Sequence, residues 1–440
     1  MAPNCPTLST LILSYCGLTM IPGSFFQYMN NLQVLDLSYN SELMDLPSSI
    51  SNLESLTALS LRGCGGLKSV PALGKLKNLR VLDVFQTGIK EVPQGMENLV
   101  KLKFLDMGGI DLDDLASLEL LEEFRGGFCD LHNFHKFTSS HHNYEKDWWY
   151  NIFVGPPVSD FLLGGGFDDC IPKQRRVIVE HCTIEAGGGE AATSIFLPHG
   201  IDILEVMFCR GLSSCFVDNF LSRTTSLRGL TCRIFGCDDI EWIVNVPSGR
   251  NTTTDPHCIP FHSLDVHHLQ NLVGLCKGKI ASHNFSGLTE LVIHHCSRML
   301  LLFPRAILQD LKNLEKLAVG WCFEMEEIIG RGEGEGSSQS SSTYTTADLP
   351  KLKKLQLYNL PELKSICEGK LMCDSLKSME FVKCPKLKRM PFYTPPTNEH
   401  PFPSLGEIRV YEENWWERLE WEQSHLNTLF QPYIIYIVNS

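Results

Sequence analysis

No lysine or arginine occurs before Arg62, so the N-terminus lacks the basic stretch that opens a secretory signal. No apolar run approaches the ~20 residues needed to cross a bilayer. The longest candidate, Tyr433-Ile434-Ile435-Tyr436-Ile437-Val438, is far too short. Bases are scarce throughout, 38 Lys and Arg against 51 Asp and Glu, and the net charge of −13 disfavours nucleic acid and anionic membranes, which need a basic surface. The signatures of catalysis are missing too. Gly278-Lys279 is followed by Ile280 and makes no phosphate loop, and neither a G-x-S-x-G elbow nor an H-E-x-x-H helix occurs. None of the 17 cysteines belongs to a C-x-x-C pair. His181-Cys182 and His294-His295-Cys296 look like metal ligands in isolation but lack the paired short spacing of a zinc site. Cys258, His262, His267 and His268 are read the same way, with His267 taken as a hydrogen-bonded core histidine replacing a leucine. No metal ligand and no catalytic residue is assigned, and the chain is read as a non-enzyme.

What is present is a leucine ruler. Leu8, Leu32, Leu56, Leu79 and Leu102 follow at steps of 24, 24, 23 and 23 residues, the first three opening the phrase Leu-x-x-Leu-x-Leu-x-x-Cys/Asn and all five its Leu-x-x-Leu start. Self-similarity at this period is the signature of leucine-rich repeats. The expected fold is an α/β solenoid, a leucine-rich-repeat horseshoe with a parallel sheet on the concave face and short helices or turns on the convex face. At 440 residues the chain would otherwise suggest two or three domains, but stacked repeats share one elongated core. Seven cysteines (Cys16, Cys64, Cys182, Cys209, Cys296, Cys322 and Cys384) occupy the ninth position, an inner turn where a thiol can bond neighbouring backbone. Placement by phase implies reduced structural thiols and a cytoplasmic protein.

Residues 1–112 form a regular block, with an aliphatic-proline step after each phrase, such as Leu46-Pro47. Residues 113–172 break the rhythm and read as an irregular insertion carrying Trp148-Trp149, a pair taken as buried. Residues 173–414 return to looser, cysteine-type repeats. Here Leu352, Leu355, Leu357 and Leu360 are aligned with Leu264, His267, Leu269 and Leu272, and the register near Leu227–Ile240 stays ambiguous. Gly and Ser dominate residues 330–346, a composition that predicts a disordered loop. Residues 415–440 supply a C-terminal cap from Trp415, Trp416, Leu419, Trp421, Leu426 and Phe430. Only seven residues precede the first repeat leucine, so an uncapped N-terminal edge and a longer natural protein are expected.

Strand alternation points the third, fifth and seventh residues of each phrase away from the core. In the regular block these include Asp36, Asp83 and Asp106 at position five, flanked by Arg62 and Phe85. A solvating role for the aspartates is favoured. The second block carries Met207, Phe208, His294, His295, Trp321 and Tyr358 at positions seven or eight. Exposed aromatics and methionine are the residues interfaces use. These eleven are the candidate partner-binding residues.

The wording is also specific. Phe25-Phe26-Gln27-Tyr28-Met29-Asn30-Asn31-Leu32-Gln33-Val34-Leu35-Asp36-Leu37-Ser38, Leu46-Pro47-Ser48-Ser49-Ile50 and Leu121-Glu122-Glu123-Phe124 resemble the repeats of plant nucleotide-binding leucine-rich-repeat disease-resistance proteins. Phe402-Pro403-Ser404-Leu405 and the Trp415-Trp416 tail ending Thr428-Leu429-Phe430-Gln431-Pro432 are similar to their coiled-coil branch. The resemblance implies the sensor region of an intracellular immune receptor. Such a region recognises a pathogen effector or a guarded host protein and restrains an upstream nucleotide-binding domain. It implies no cofactor on this chain, ATP or ADP belonging to that upstream domain. An intracellular repeat scaffold or a ubiquitin-ligase substrate receptor is the alternative from the repeats alone.

Overall fold

The computed structural model describes residues 3–111, 118–140, 148–156, 173–184, 195–221, 229–245, 261–277, 285–330, 346–367, 369–393, 404–412, 415–421 and 423–437. The expected loop at 330–346, apart from its two end residues, lies outside them, as does Cys258. The chain divides into two units, residues 1–182 with 195–203, and residues 183–194 with 204–440.

In the first unit each repeat contributes one short parallel strand: β1 (Thr10–Ile12), β2 (Val34–Asp36), β3 (Ala58–Ser60), β4 (Val81–Asp83), β5 (Phe104–Asp111), β6 (Glu123–Phe128), β7 (Trp149–Val154) and β8 (Arg175–Glu180). Pairing is in phase, Leu11 beside Leu35, Leu59, Leu82 and Leu105. Leu35, Leu59, Leu82 and Leu105 have no exposed surface, so the leucine column is the core and its burial drives the stacking. Turns and 3-10 helices at Ser48–Asn52 and Met96–Asn98 close the repeats. Pro47, with φ −69°, is the residue just before the first of these and fixes its entry.

The segment read as an insertion carries β6, a helix at Leu131–Ser140, and β7. The register shifts between Asp106 and Asp111 of β5, which breaks the phrase while leaving the sheet continuous. Phe134 and Phe137 of the helix pack on Phe128, with ring centroids 5.7 and 5.1 Å apart. Trp148 sits against Tyr150 at 4.9 Å, whereas Trp149 is 37% exposed and not buried as a pair would be.

The first sheet of the second unit holds β9 (Ile203–Met207), β10 (Leu230–Phe235), β12 (Phe261–His267), β14 (Glu290–His294), β16 (Lys316–Gly320), β19 (Lys354–Tyr358), β22 (Ser378–Val382), β24 (Glu407–Val410) and β26 (Ile434–Tyr436). All are parallel where paired. Short strands also occupy the return side: β11 (Trp242–Asn245) with β13 (Gly274–Lys277), and β15 (Leu301–Pro304), β17 (Glu327–Gly330), β20 (Ser365–Cys367), β23 (Arg389–Met390) and β25 (Glu420–Trp421) in a second sheet. A further parallel pair is formed by β18 (Thr346–Asp348) and β21 (Lys370–Met372). Leu264 stands beside Leu291, Leu317 and Leu355. The alignment of Leu264 with Leu352 is therefore out by three residues. The ambiguous repeat also resolves: Cys232 takes the position-four leucine's place beside Leu264, and Cys237 becomes an eighth ninth-position cysteine.

Among the described residues no helix is long and apolar enough to cross a membrane, and no group of three potential metal ligands occurs. The fifteen described cysteines are free thiols. Cys16, in the repeat whose strand β1 pairs with β2, is exposed, in contrast to its inward expectation. At the C-terminal end Trp416 is fully buried against Trp421 and Phe430, and the Trp415 indole N–H donates to the Cys384 carbonyl at 3.2 Å.

Candidate partner-binding face

The face is built by a turn at position eight of each repeat. Tyr15, Tyr39, Gln86, His181, Phe208, His268, His295, Trp321, Asn359 and Lys383 all have φ between +48° and +57°. Among the described residues they are every non-glycine with positive φ, and each is the eighth of its phrase. Large side chains there strain the backbone by about 1–2 kcal/mol each. A hydrogen bond to the next repeat offsets this. Position-eight N–H groups donate to the neighbouring position-seven carbonyl, as in Tyr15 to Ser38 (3.0 Å), His268 to His294 (3.0 Å), His295 to Gly320 (3.0 Å) and Trp321 to Tyr358 (2.8 Å). The turn then drops position nine into the core. Asn40 there is fully buried, its amide oxygen accepting from the Cys16 and Leu18 N–H groups while its NH2 donates to the Leu13 and Leu37 carbonyls. Cys64 donates its thiol to the Leu37 carbonyl at 3.2 Å. Hydrogen bonding to Cys209, and then burial, push the Cys237 thiol well above its ordinary range. These are structural donors.

In the first unit the expected acidic ladder turns out to be an ion network. Arg62 Nε donates to Asp83 at 2.8 Å and its terminal nitrogen to Asp106 at 3.0 Å, while the guanidinium lies 4.7 Å from the Phe85 ring centre. Asp106 has no exposed surface, and Phe85 and Arg62 are 5% and 8% exposed. Their expected place on an open face is therefore corrected: successive repeats bring these side chains close enough to cover one another. Burial, with Asp83 adding, pushes the Asp106 carboxyl up to about 7 against the pull of Arg62. Asp36 stays half-exposed and accepts hydrogen bonds from the Ser38 hydroxyl and N–H. That network stabilises the sheet and offers little to a partner.

The second unit presents rings instead. Parallel strands sit about 4.8 Å apart, so aromatic residues at the same or adjoining positions of neighbouring repeats meet ring to ring. Phe208 and Phe235 meet at 5.0 Å, Phe235 and His268 at 4.8 Å, His268 and His295 at 4.2 Å, His295 and Trp321 at 5.1 Å, and Trp321 and Tyr358 at 5.9 Å. A second row at position seven sets His294 edge-on to His267 at 5.0 Å and to Tyr358 at 6.3 Å. Gly320 stands between those last two, and a Cβ on it would come within 3.0 Å of Tyr358. Burial, then His267, lowers His294 to about 4, and its Nε2 is buried with no hydrogen-bond partner. Burial, then His268, also lowers His295. Both shifts favour the neutral imidazole at His294 and His295.

Met207, Phe208, His294, His295, Trp321 and Tyr358 all lie on this row or beside it, half-exposed except for Phe208, which is exposed. Sequence reasoning missed Phe235 and His268, and misplaced His267. The register sets His267 at position seven, half-exposed, its Nε2 2.6 Å from the Asp265 carboxylate, and not in the core. The ladder ends on a carboxylate it also missed. The Glu380 carboxylate accepts hydrogen bonds from the Tyr358 hydroxyl at 2.7 Å, the Gln356 amide at 2.8 Å and the Tyr411 hydroxyl at 3.1 Å. Against the desolvation that would raise it, these three bonds and the charge of Arg409 hold the Glu380 carboxyl below its ordinary value.

Two family models match the sequence: leucine-rich repeat over residues 6–65, and plant disease resistance protein RPS2-like, leucine-rich repeats, over residues 260–395. The similar proteins include two from Arabidopsis thaliana. One is named disease resistance protein At4g27190 (22% identical, covering 94% of this chain and 43% of that protein). The other is named probable disease resistance protein At1g51480 (29% identical, covering 87% and 36%). The chain is similar to the leucine-rich repeats of plant disease-resistance proteins. It spans about two fifths of these resistance proteins' length. Among solved structures, a plant peptide hormone receptor, RGFR1 in complex with RGF2, aligns over 92% of this chain and 63% of its own at 15% identity and a TM-score of 0.32. Within the resistance-type repeats, the RPS2-like segment contains most of the ladder, from His267 to Glu380.

Proposed function

We propose that this chain is the protein-recognition region of an intracellular plant immune receptor, sensing a pathogen effector or a host protein altered by one. In the resting receptor it restrains a nucleotide-binding switch carried elsewhere on the polypeptide. Its work is binding and not catalysis. The observation that carries this reading is the stacked row His268, His295, Trp321 and Tyr358, half-exposed inside the segment that matches resistance-type repeats. Rigid aromatic side chains give a partner large contact area at little cost in conformational entropy.

The test is made in the full-length receptor. Trp321→Ala and Tyr358→Ala each remove a ring from the centre of the row, where truncation of a hot spot costs ~2 kcal/mol or more. Partner capture and the defence output should both fall by tenfold or more. Normal capture and normal output in both variants would overturn the assignment of this face.

A further inference from the structure

Resting on that reading, we propose that the Tyr358–Glu380–Tyr411 end of the row receives a cationic side chain, an arginine or lysine from a basic segment of the protein partner. Glu380 is at position five of its repeat, and Tyr358 and Tyr411 stand at position seven of the repeats on either side. Both tyrosine hydroxyls and the Gln356 amide donate to the carboxylate, two bonds to Oε2 and one to Oε1. A carboxylate offers about four acceptor sites. One site on Oε1 is left. All three donors are neutral, so they orient the charge without cancelling it.

Among the described residues no lysine or arginine forms an ion pair with Glu380. Arg409, its neighbour across the sheet, attracts Glu380 without pairing with it, and pairs instead with Glu407 through two nitrogens, at 3.2 and 3.1 Å. The three side chains together keep one negative charge. Glu380, Tyr358, Tyr411 and Trp321 are all half-exposed, so the carboxylate and the ring row can be reached from one side. A guanidinium or ammonium there would gain a charge-assisted hydrogen bond to Oε1 and an aromatic neighbour for its charge. The adjoining imidazoles of His294 and His295, both shifted toward the neutral form, oppose no incoming cation. The net charge of −13 makes the chain a complementary partner for a basic segment as a whole.

The experiment uses the 440-residue chain and two capped peptides, one alternating arginine with serine and one alternating glutamate with serine, titrated by calorimetry. The arginine peptide should bind and the glutamate peptide should not. Glu380→Gln should weaken the arginine peptide about tenfold, the worth of one charge-assisted hydrogen bond. Glu54→Gln, an equal loss of charge at an exposed site in the first unit, should leave binding unchanged. No binding of the arginine peptide, equal loss in the two variants, or no loss in Glu380→Gln would overturn the proposal. If Glu380→Gln fails to melt like the parent chain, Tyr358→Ala replaces it, and unaltered affinity there overturns the proposal equally. In the full-length receptor the two readings separate. Loss of recognition in Trp321→Ala with normal recognition in Glu380→Gln keeps the face and discards the cation, whereas normal recognition in both discards the face.

Discussion

At Asp106 a carboxylate without exposed surface shares Arg62 with Asp83, and this arrangement stabilises the first unit only while the cation is in place. Arg62→Ala removes the cation that the two neighbouring carboxylates share, and should cost about 3–5 kcal/mol in urea unfolding. Asp106→Asn acts differently. Its folded value of about 7 lies above the ordinary 3.8, so the fold holds the proton more tightly than the unfolded chain does. The associated stability is full below about pH 4 and is lost as pH rises through 7. Asp106→Asn should therefore flatten the decline in melting temperature between those limits. His294 carries the opposite sign. Its value is lowered from 6.5 to about 4, so the stability it contributes is present above 6.5 and lost as pH falls toward 4. His294→Phe keeps a ring beside His267, Trp321 and Tyr358 and removes the buried, unbonded nitrogen. It should stabilise the chain clearly at pH 5 and little at pH 7.5 in thermal melts.

The repeating element is a strand followed by a left-handed turn, and the turn makes predictions of both signs. Gly63 occupies position eight with φ +70°, and a Cβ there would meet the Tyr39 ring at 2.6 Å. Gly63→Ala combines left-handed strain with a clash and should destabilise by about 1–3 kcal/mol. Lys383 has φ +51° and an exposed side chain. Lys383→Gly should stabilise by about 0.5–1 kcal/mol, the strain released less the added freedom of glycine in the unfolded chain. Chemical denaturation of the two variants checks both. The leucine phrase revealed the sheet, because core positions recur whatever fills the rest of the repeat. It failed where another apolar residue held a leucine's place, as Cys232 does, and where the register slips within β5. Return-side strands of two to four residues, such as β23, are too short to show alternation, so turns were expected there. The aromatic row was legible as composition at Trp321 and Tyr358. Its continuity through His268 depends on a register that the misaligned Leu264 concealed, and no spacing rule brings Arg62 to Asp106 or Tyr411 to Glu380. Those are contacts between repeats, set by the stacking.

Over the whole molecule, excess negative charge and one oriented carboxylate should govern different steps of binding. The charge of −13 acts at a distance and is screened over a Debye length of about 8–10 Å at 0.1–0.15 M salt. It should accelerate encounter with a basic segment, with an association rate that falls as salt rises. Glu380 acts only in contact, where desolvation by the surrounding rings protects its hydrogen bond from screening. Removing exposed carboxylates of the second unit, as in Glu324→Gln combined with Asp374→Asn, should slow association of the arginine peptide and leave dissociation unchanged. Glu380→Gln should do the reverse, raising the dissociation rate about tenfold with a small change in association. Stopped-flow measurements across a salt series separate the two. If Glu380→Gln altered only the salt-dependent association rate, its carboxylate would be one more surface charge, and the specificity of the ring row would have to come from shape alone.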